Sequence, residues 1–161
     1  MGETLAKRVL NKMPNEVFDI YIAPIVRVYG WTFTNKHSPT SFSTWSGVFG
    51  KQSLETIANL DWKRREISLG GSLFHPRSQK LIGILYGECV KGKARITNVA
   101  NSQARFDRIR SFVKRTGRLP APVILMKSYS GLLILDGHHR IAALLSLRLS
   151  ANLFSAWVGS A

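Results

Sequence analysis

The 161-residue sequence predicts a single α/β (α+β) domain with a small mixed sheet flanked by helices, and three observations carry that expectation. Strand-like apolar runs alternate with amphipathic helical stripes in mixed order. A basic helical stripe over 103–115 stops at Gly117, with Pro120 and Pro122 just beyond it. An apolar run, Leu132-Leu133-Ile134-Leu135, passes directly into Asp136-Gly137-His138-His139-Arg140 and a further helical stretch. The length suits one domain with its own core, read as an elaboration over 1–95 on a compact unit over 96–161.

Residues 3–13 put Leu5, Val9, Leu10 and Met13 on one stripe, a helix ended by Pro14-Asn15. From 17 to 34, Ile, Val, Tyr, Phe and Trp broken by Pro24 and Gly30 predict one or two strands. The polar stretch 35–51 predicts a long loop. A helix is expected over 52–65, with Leu54, Ile57 and Leu60 inward and Lys63-Arg64-Arg65 at its negative end. Gly70-Gly71 and His75-Pro76-Arg77 mark turns. Strands are expected over 81–90 and 94–99, joined by Lys91-Gly92-Lys93. Over 103–115 a helix buries Phe106, Ile109, Phe112 and Val113. A hairpin of strands 123–126 and 132–135, a helix over 141–149 and a strand over 152–158 complete the chain.

Composition separates partner classes. Apolar residues at 45 % and charged residues at 20 % fit a globular chain and exclude a disordered one. Lys and Arg number 23 against nine Asp and Glu, a net charge of +14. A surplus that repels itself in the folded state points to a polyanion: nucleic acid first, then an anionic membrane surface or an acidic protein. Charges interrupt every apolar run before ~18 residues, so no membrane insertion is expected. The N-terminus lacks an apolar leader core, Ala6 breaks a myristoylation pattern at Gly2, and the single Cys89 permits no internal disulfide. A cytoplasmic location is expected.

The bend at 136–140 carries the sharpest chemical signal. Gly137 permits a tight turn, and the first N–H groups of the new helix point outward without partners, an arrangement that attracts anions. His139 and Arg140 add donors in the first turn. Cations there oppose the helix dipole by roughly 0.3–1 kcal/mol each, so a negative group is expected to compensate. Asp136 as N-cap is one; a phosphate is another.

With its flanks, Leu119-Pro120-Ala121-Pro122-Val123-Ile124-Leu125-Met126 and Ile141-Ala142-Ala143-Leu144, this bend resembles the ParB/sulfiredoxin superfamily over 103–158, about a third of the chain. The resemblance implies a compact ParB/sulfiredoxin-like core whose His-Arg pair binds nucleotide phosphates. Members bind or hydrolyse ATP or CTP, reduce a sulfinic acid, phosphorylate free serine or cleave DNA, and plasmid-encoded fertility-inhibition proteins share the fold. It implies ATP or another nucleoside triphosphate at Asp136, Gly137, His138, His139 and Arg140, with Mg2+ on Asp136. His138 stands where sulfiredoxins carry their cysteine, which argues against reductase chemistry. The chromosome-segregation members have a Gly-Glu-Arg-Arg type box instead of this loop. Serine-kinase members place a glutamate before the preceding helix, where this chain has Asn101-Ser102-Gln103.

A hydrolase must draw a metal ligand or general base from nine acids or the histidines. Asp136, His138 and Glu88 are the catalytic candidates; Glu88 is set on or beside a strand, where its competing role is an outward strand position. Arg105, Arg108, Arg110, Lys114 and Arg115 make the helix over 103–115 the nucleic-acid candidate, against the alternatives of a nucleotide-pocket wall or a solvated face. His75 and His37 read as turn and loop residues, and adjacent His138 and His139 lack the spacing of a helical zinc pair. Trp31, Trp45, Trp62 and Trp157 read as core or interface, with Trp45 a possible base-stacking residue, and Cys89 as a small hydrophobe. The expected function is an ATPase with DNase activity, serving plasmid fertility inhibition. The alternatives are a non-catalytic inhibitor that binds nucleic acid or protein, and a kinase. Expected partners are nucleotide, DNA and a transfer or secretion ATPase.

Overall fold

The structure is a computed structural model that describes residues 12–29, 54–70, 72–97, 99, 101–149 and 152–161. The expected loop 35–51, most of the helix over 3–13, and Trp31, His37 and Trp45 lie outside the described residues. Within them the chain is α+β: five helices and a four-stranded mixed sheet. It divides into two units, residues 1–63 with 158–161, and residues 64–157.

In the first unit, Asn15–Val17, Phe18–Ile22 and Ala23–Tyr29 follow without interruption as one helix, α1. The expectation of strands is therefore corrected over 17–29; 30–34 lie outside the described residues. Met13, Val17 and Tyr21 are buried at four-residue spacing, a helical period that the β-branched and aromatic composition masked. Pro24 has no N–H for the Ile20 carbonyl, and the helix meets this with one widened turn in which the Ala23 N–H donates to the Phe18 carbonyl.

The helix over 52–65 is also corrected. Among the described residues Leu54–Ala58 is helical (α2), and Asp61–Ser68 is a strand, β1, that carries Lys63, Arg64 and Arg65. Trp62 is buried and its Nε1 donates to the Ile57 carbonyl at 3.1 Å, which ties the start of β1 to α2.

The second unit holds three helices that pack on one another: α3 (Pro76–Cys89), α4 (Ser102–Thr116) and α5 (His138–Ser146). The strand expected over 81–90 is instead the body of α3, and 92–97 is irregular rather than a strand. The α3 start is local chemistry. His75 Nδ1 accepts the Arg77 N–H at 3.1 Å and Pro76 occupies the first helical position, so the supposed turn is an N-cap. Ser78, Ile82, Leu85 and Glu88 then form its buried stripe. The α4 helix matches its expected extent, but of its expected stripe Phe106 and Val113 are buried while Ile109 and Phe112 are half-buried; Gly117 closes it in the left-handed region at φ 70°, its N–H on the Val113 carbonyl at 2.8 Å.

The sheet order is β1–β4–β2–β3, where β2 is Val123–Ser128, β3 is Gly131–Asp136 and β4 is Leu153–Ser160. The central strands are the apolar ones, with Val123 to Met126 continuously buried and Phe154, Ala156 and Val158 buried on alternate positions. Antiparallel β2 and β3 form the expected hairpin, with a register irregularity between Ile124 and Leu125 that faces the end of β3 at Asp136. Edge strand β3 is covered: Leu132 exchanges hydrogen bonds with Leu73 and His75, and the Ile134 N–H donates to buried Ser78 Oγ at 2.9 Å. The 73–75 segment approaches so closely that a Cβ on Gly131 (φ 118°) would stand 3.0 Å from the His75 nitrogen. These contacts set the end of β3, and with it the bend at 136–140. No helix among the described residues is long and apolar enough to cross a membrane.

Candidate functional site

β3 ends at Asp136, Gly137 takes φ 111°, and α5 begins at His138, three residues earlier than the apolar pattern suggested. Fully buried Ile141, Ala142, Ala143 and Leu144 anchor the helix, the two larger side chains each contributing about 1.5–3 kcal/mol. Gly137, not Asp136, is the N-cap, and it supplies no side-chain cap. The capping role expected of Asp136 is corrected, because its carboxylate instead receives Arg140. The Nη2–Oδ2 distance is 2.6 Å, across one helical turn. Gly137 makes room for this fold-back: a Cβ there would stand 3.0 Å from both Arg140 Nη2 and Val123 Cγ1. The Arg140 side chain is 13 % exposed and that of Asp136 40 %, so the pair sits at the solvent boundary. Arg140 Nε is buried without a hydrogen-bond partner, a donor left over by this pairing.

A second helix start converges on the same bend. Ser102, the first residue of α4, is fully buried, and its Oγ lies 2.7 Å from His139 Nε2. The α4 N-cap, Asn101, is left-handed at φ 55° and likewise gives no side-chain cap. Two helix starts without side-chain caps thus meet at one place, each bringing the positive end of its dipole, although the Ser102 N–H itself is taken by the Val99 carbonyl at 3.3 Å. Ser102 Oγ also approaches Cys89 Sγ at 3.9 Å, and Gln103 Nε2 donates to the Cys89 carbonyl at 3.2 Å, tying the end of α3 to this corner.

The electrostatics follow from burial and local cations. Burial pushes His138 down to about 4; Asp136 opposes the shift while His139, Arg77 and Arg140 add to it. His139 is also lowered to about 4, first by burial and then by Arg105, with Asp136 and Glu88 opposing. Both rings are neutral at pH 7, so His138 enters as a base or neutral donor rather than as a ready acid. Burial raises the Cys89 thiol, which keeps it protonated and inert.

Glu88 lies in the last turn of α3, correcting the strand placement. Its carboxylate is engaged. Oε1 accepts the Ile96 and Thr97 N–H groups at 2.5 and 2.8 Å, and Oε2 accepts the Thr97 hydroxyl at 2.5 Å. These donors, the Thr97 side chain first, hold it below the usual carboxylate range. Glu88 therefore fastens the 96–97 segment, and its influence on the bend is its field at His139.

The five basic residues of α4 do not share one surface. Arg105, Arg108 and Arg115 flank the buried stripe on one side, and at about 100° per residue Arg110 and Lys114 fall on the other. Arg110 is half-buried, with a buried Nε lacking a hydrogen-bond partner, and Arg115 lies over the Phe112 ring at 5.5 Å.

Among the described residues no group of three or more His, Cys, Asp or Glu is placed to hold a metal ion. A protein-only zinc cage is absent from them. Asp136 is the carboxylate at the bend itself, and one carboxylate with phosphate oxygens is a donor set that Mg2+ accepts.

The bend, Arg105 and Glu88 are brought within electrostatic reach of one another. Ser102 and Arg77 were missed. Ser102 carried no signal beyond its place at a helix start, whereas Arg77 was findable had His75-Pro76 been read as a cap. Set against protein-family models, curated proteins and solved structures, the chain matches none of them.

Proposed function

We propose that this chain is a nucleotide-binding hydrolase, an ATPase of ParB/sulfiredoxin type that also acts on DNA. The observation that carries the reading is the convergence of two helix starts without side-chain caps at 102 and 138, with Arg140 in the bend and Arg77 and Arg105 close enough to act on its histidines electrostatically. An arrangement of outward N–H groups and cations favours a multiply charged oxyanion, and the family-like motif at 136–140 makes that anion a nucleoside triphosphate, ATP first. His139 and Arg140 hold phosphate oxygens, Gly137 lets the backbone approach, and neutral His138 takes a proton. Mg2+, when bound, neutralises phosphate charge; Asp136 is the residue that would hold it, once Arg140 turns from the carboxylate to the phosphate. Exposed Arg105, Arg108 and Arg115 contact the DNA backbone. A role in plasmid fertility inhibition, through a transfer or secretion ATPase as partner, belongs to the same proposal, as does a cytoplasmic location.

The test is titration of ATP, ADP and CTP with and without Mg2+, coupled to phosphate release and to nicking of supercoiled plasmid. Arg140→Ala is expected to weaken ATP at least tenfold with an unchanged circular-dichroism spectrum. Unchanged ATP affinity in that variant would remove the nucleotide reading. Salt-sensitive DNA binding without turnover of ATP or plasmid would leave a binding module, which the pairing of Asp136 with Arg140 favours, because a paired carboxylate is not free for a metal. Transfer of γ-phosphate to an acceptor other than water would identify a kinase.

A further inference from the structure

The segment 91–97 belongs to none of the machinery above, yet it is built with care. It leaves α3 through the Lys91 N–H on the Tyr86 carbonyl and the Lys93 N–H on the Gly87 carbonyl at 3.0 Å. Gly87 has no side chain, and the Lys93 stem fills the space, its Cδ only 3.2 Å from where a Cβ would stand. The Lys91 ammonium lies over the Tyr86 ring at 5.9 Å. At the far end, buried Glu88 takes three donors from Ile96 and Thr97. The segment is thus fastened at both ends along the last turns of α3.

What it displays is three cations in five residues. Lys91, Lys93 and Arg95 are all exposed, and none is ion-paired among the described residues. Ile96 beside them is 77 % exposed although its own N–H is anchored. The negative end of α3 accounts for Lys91 and the Glu88 carboxylate lies within electrostatic reach of Arg95, but that one carboxylate, already engaged by three donors, does not balance three cations. Holding like charges together on a pinned backbone is unfavourable in isolation and favourable against a regularly spaced polyanion. Gln103 and Ser102 join the end of α3 to the start of α4, so the segment shares a corner with the helix that carries Arg105.

We propose that residues 91–97 form a nucleic-acid strap: Lys91, Lys93 and Arg95 contact successive DNA phosphates, exposed Ile96 touches sugar or base, and Glu88 pre-sets the strap's shape. The strap extends the DNA part of the function proposed above and is separable from its nucleotide part. Binding through it is sequence-independent, because all three cations, the Arg95 guanidinium included, are assigned to phosphates rather than to base edges.

The test is fluorescence anisotropy of a labelled 20-mer, as duplex and as single strand, titrated with the full chain from 50 to 300 mM KCl. The triple variant Lys91→Gln, Lys93→Gln, Arg95→Gln is expected to bind at least tenfold more weakly at 50 mM. Its log–log salt slope should be shallower by about 2–3, as three phosphate contacts require, with ATP affinity unchanged. Glu88→Gln keeps all three cations but loses the carboxylate latch, and is expected to weaken binding several-fold. If it fails to fold, the surface triple variant still decides. Unchanged affinity and slope in the triple variant overturn the strap. So does loss of binding to anionic phosphatidylglycerol vesicles in place of DNA. If an Arg105, Arg108, Arg115 triple-Gln variant loses DNA while the strap variant does not, the strap falls and the DNA reading stands. Absence of DNA binding by the unaltered chain at 50 mM ends both.

Discussion

Ser102 and His139, 37 residues apart in sequence, are joined by a 2.7 Å hydrogen bond between Oγ and Nε2. Ser102 has two neighbours able to take its proton, His139 and the more distant Cys89 sulfur at 3.9 Å. Donor and acceptor follow the His139 tautomer: with the ring proton on Nδ1 the hydroxyl donates to Nε2, and with it on Nε2 the ring donates to Oγ. Ser102→Ala removes that partner. The expected outcome is a change in the His139 tautomer balance, read from its ring 15N shifts, with ATP affinity reduced several-fold. An unchanged tautomer balance in the variant would show that Ser102 does not orient the ring.

Stability should fall on the acid side as the unfolded chain protonates His138 and His139. In the folded chain His138 and His139 both lie near 4, below the ordinary 6.5, so between about pH 6.5 and 4 the unfolded chain binds more protons. Unfolding free energy therefore rises with pH through that window and levels off near 7. Glu88 is shifted below 4.5, so its contribution is present above that pH and is lost only further down. Thermal melts should show the chain less stable at pH 4.5 than at pH 7.5 by about 1 kcal/mol or more, about 2–4 °C per kcal/mol at this length. A His138→Asn, His139→Asn variant should flatten it.

Gly137→Ala places a methyl 3.0 Å from Arg140 Nη2 and Val123 Cγ1 at a φ of 111°. The expected loss is about 1–3 kcal/mol, with Arg140 displaced from Asp136. Chemical denaturation measures the first, and a fall in ATP affinity the second.

Ser78→Ala deletes the buried acceptor of the Ile134 N–H on the covered edge of β3. An unsatisfied buried N–H is expected to cost about 1–3 kcal/mol, and hydrogen exchange at Ile134 should accelerate relative to Leu125 in the neighbouring strand.

Where local chemistry and periodicity agreed, the amino-acid order alone was enough: α4 with its Gly117 cap, the β2–β3 hairpin, and the strand-to-helix bend at Asp136-Gly137. Val17, Ile20 and Ile22 carry strand-favouring side chains but sit in a helix, because α1 has a buried stripe at four-residue spacing to satisfy. The 81–90 segment misled for the opposite reason: Leu81, Ile82, Ile84 and Leu85 form a near-continuous apolar run, and its cap is a histidine, an uncommon one. Lys63-Arg64-Arg65 has no intrinsic claim to be a strand; its place beside β4, where Arg64 Nε reaches Ser155 Oγ at 3.2 Å, decides it. The same division holds at the candidate site. The anion-attracting bend is a property of five consecutive residues, whereas the Ser102–His139 bond exists only once the starts of α4 and α5 meet, and the latch from Glu88 to Thr97 only once 96–97 folds back along the end of α3. Backbone bends follow from neighbours in sequence, but a hydrogen bond between helix starts follows from burial, which no local pattern encodes.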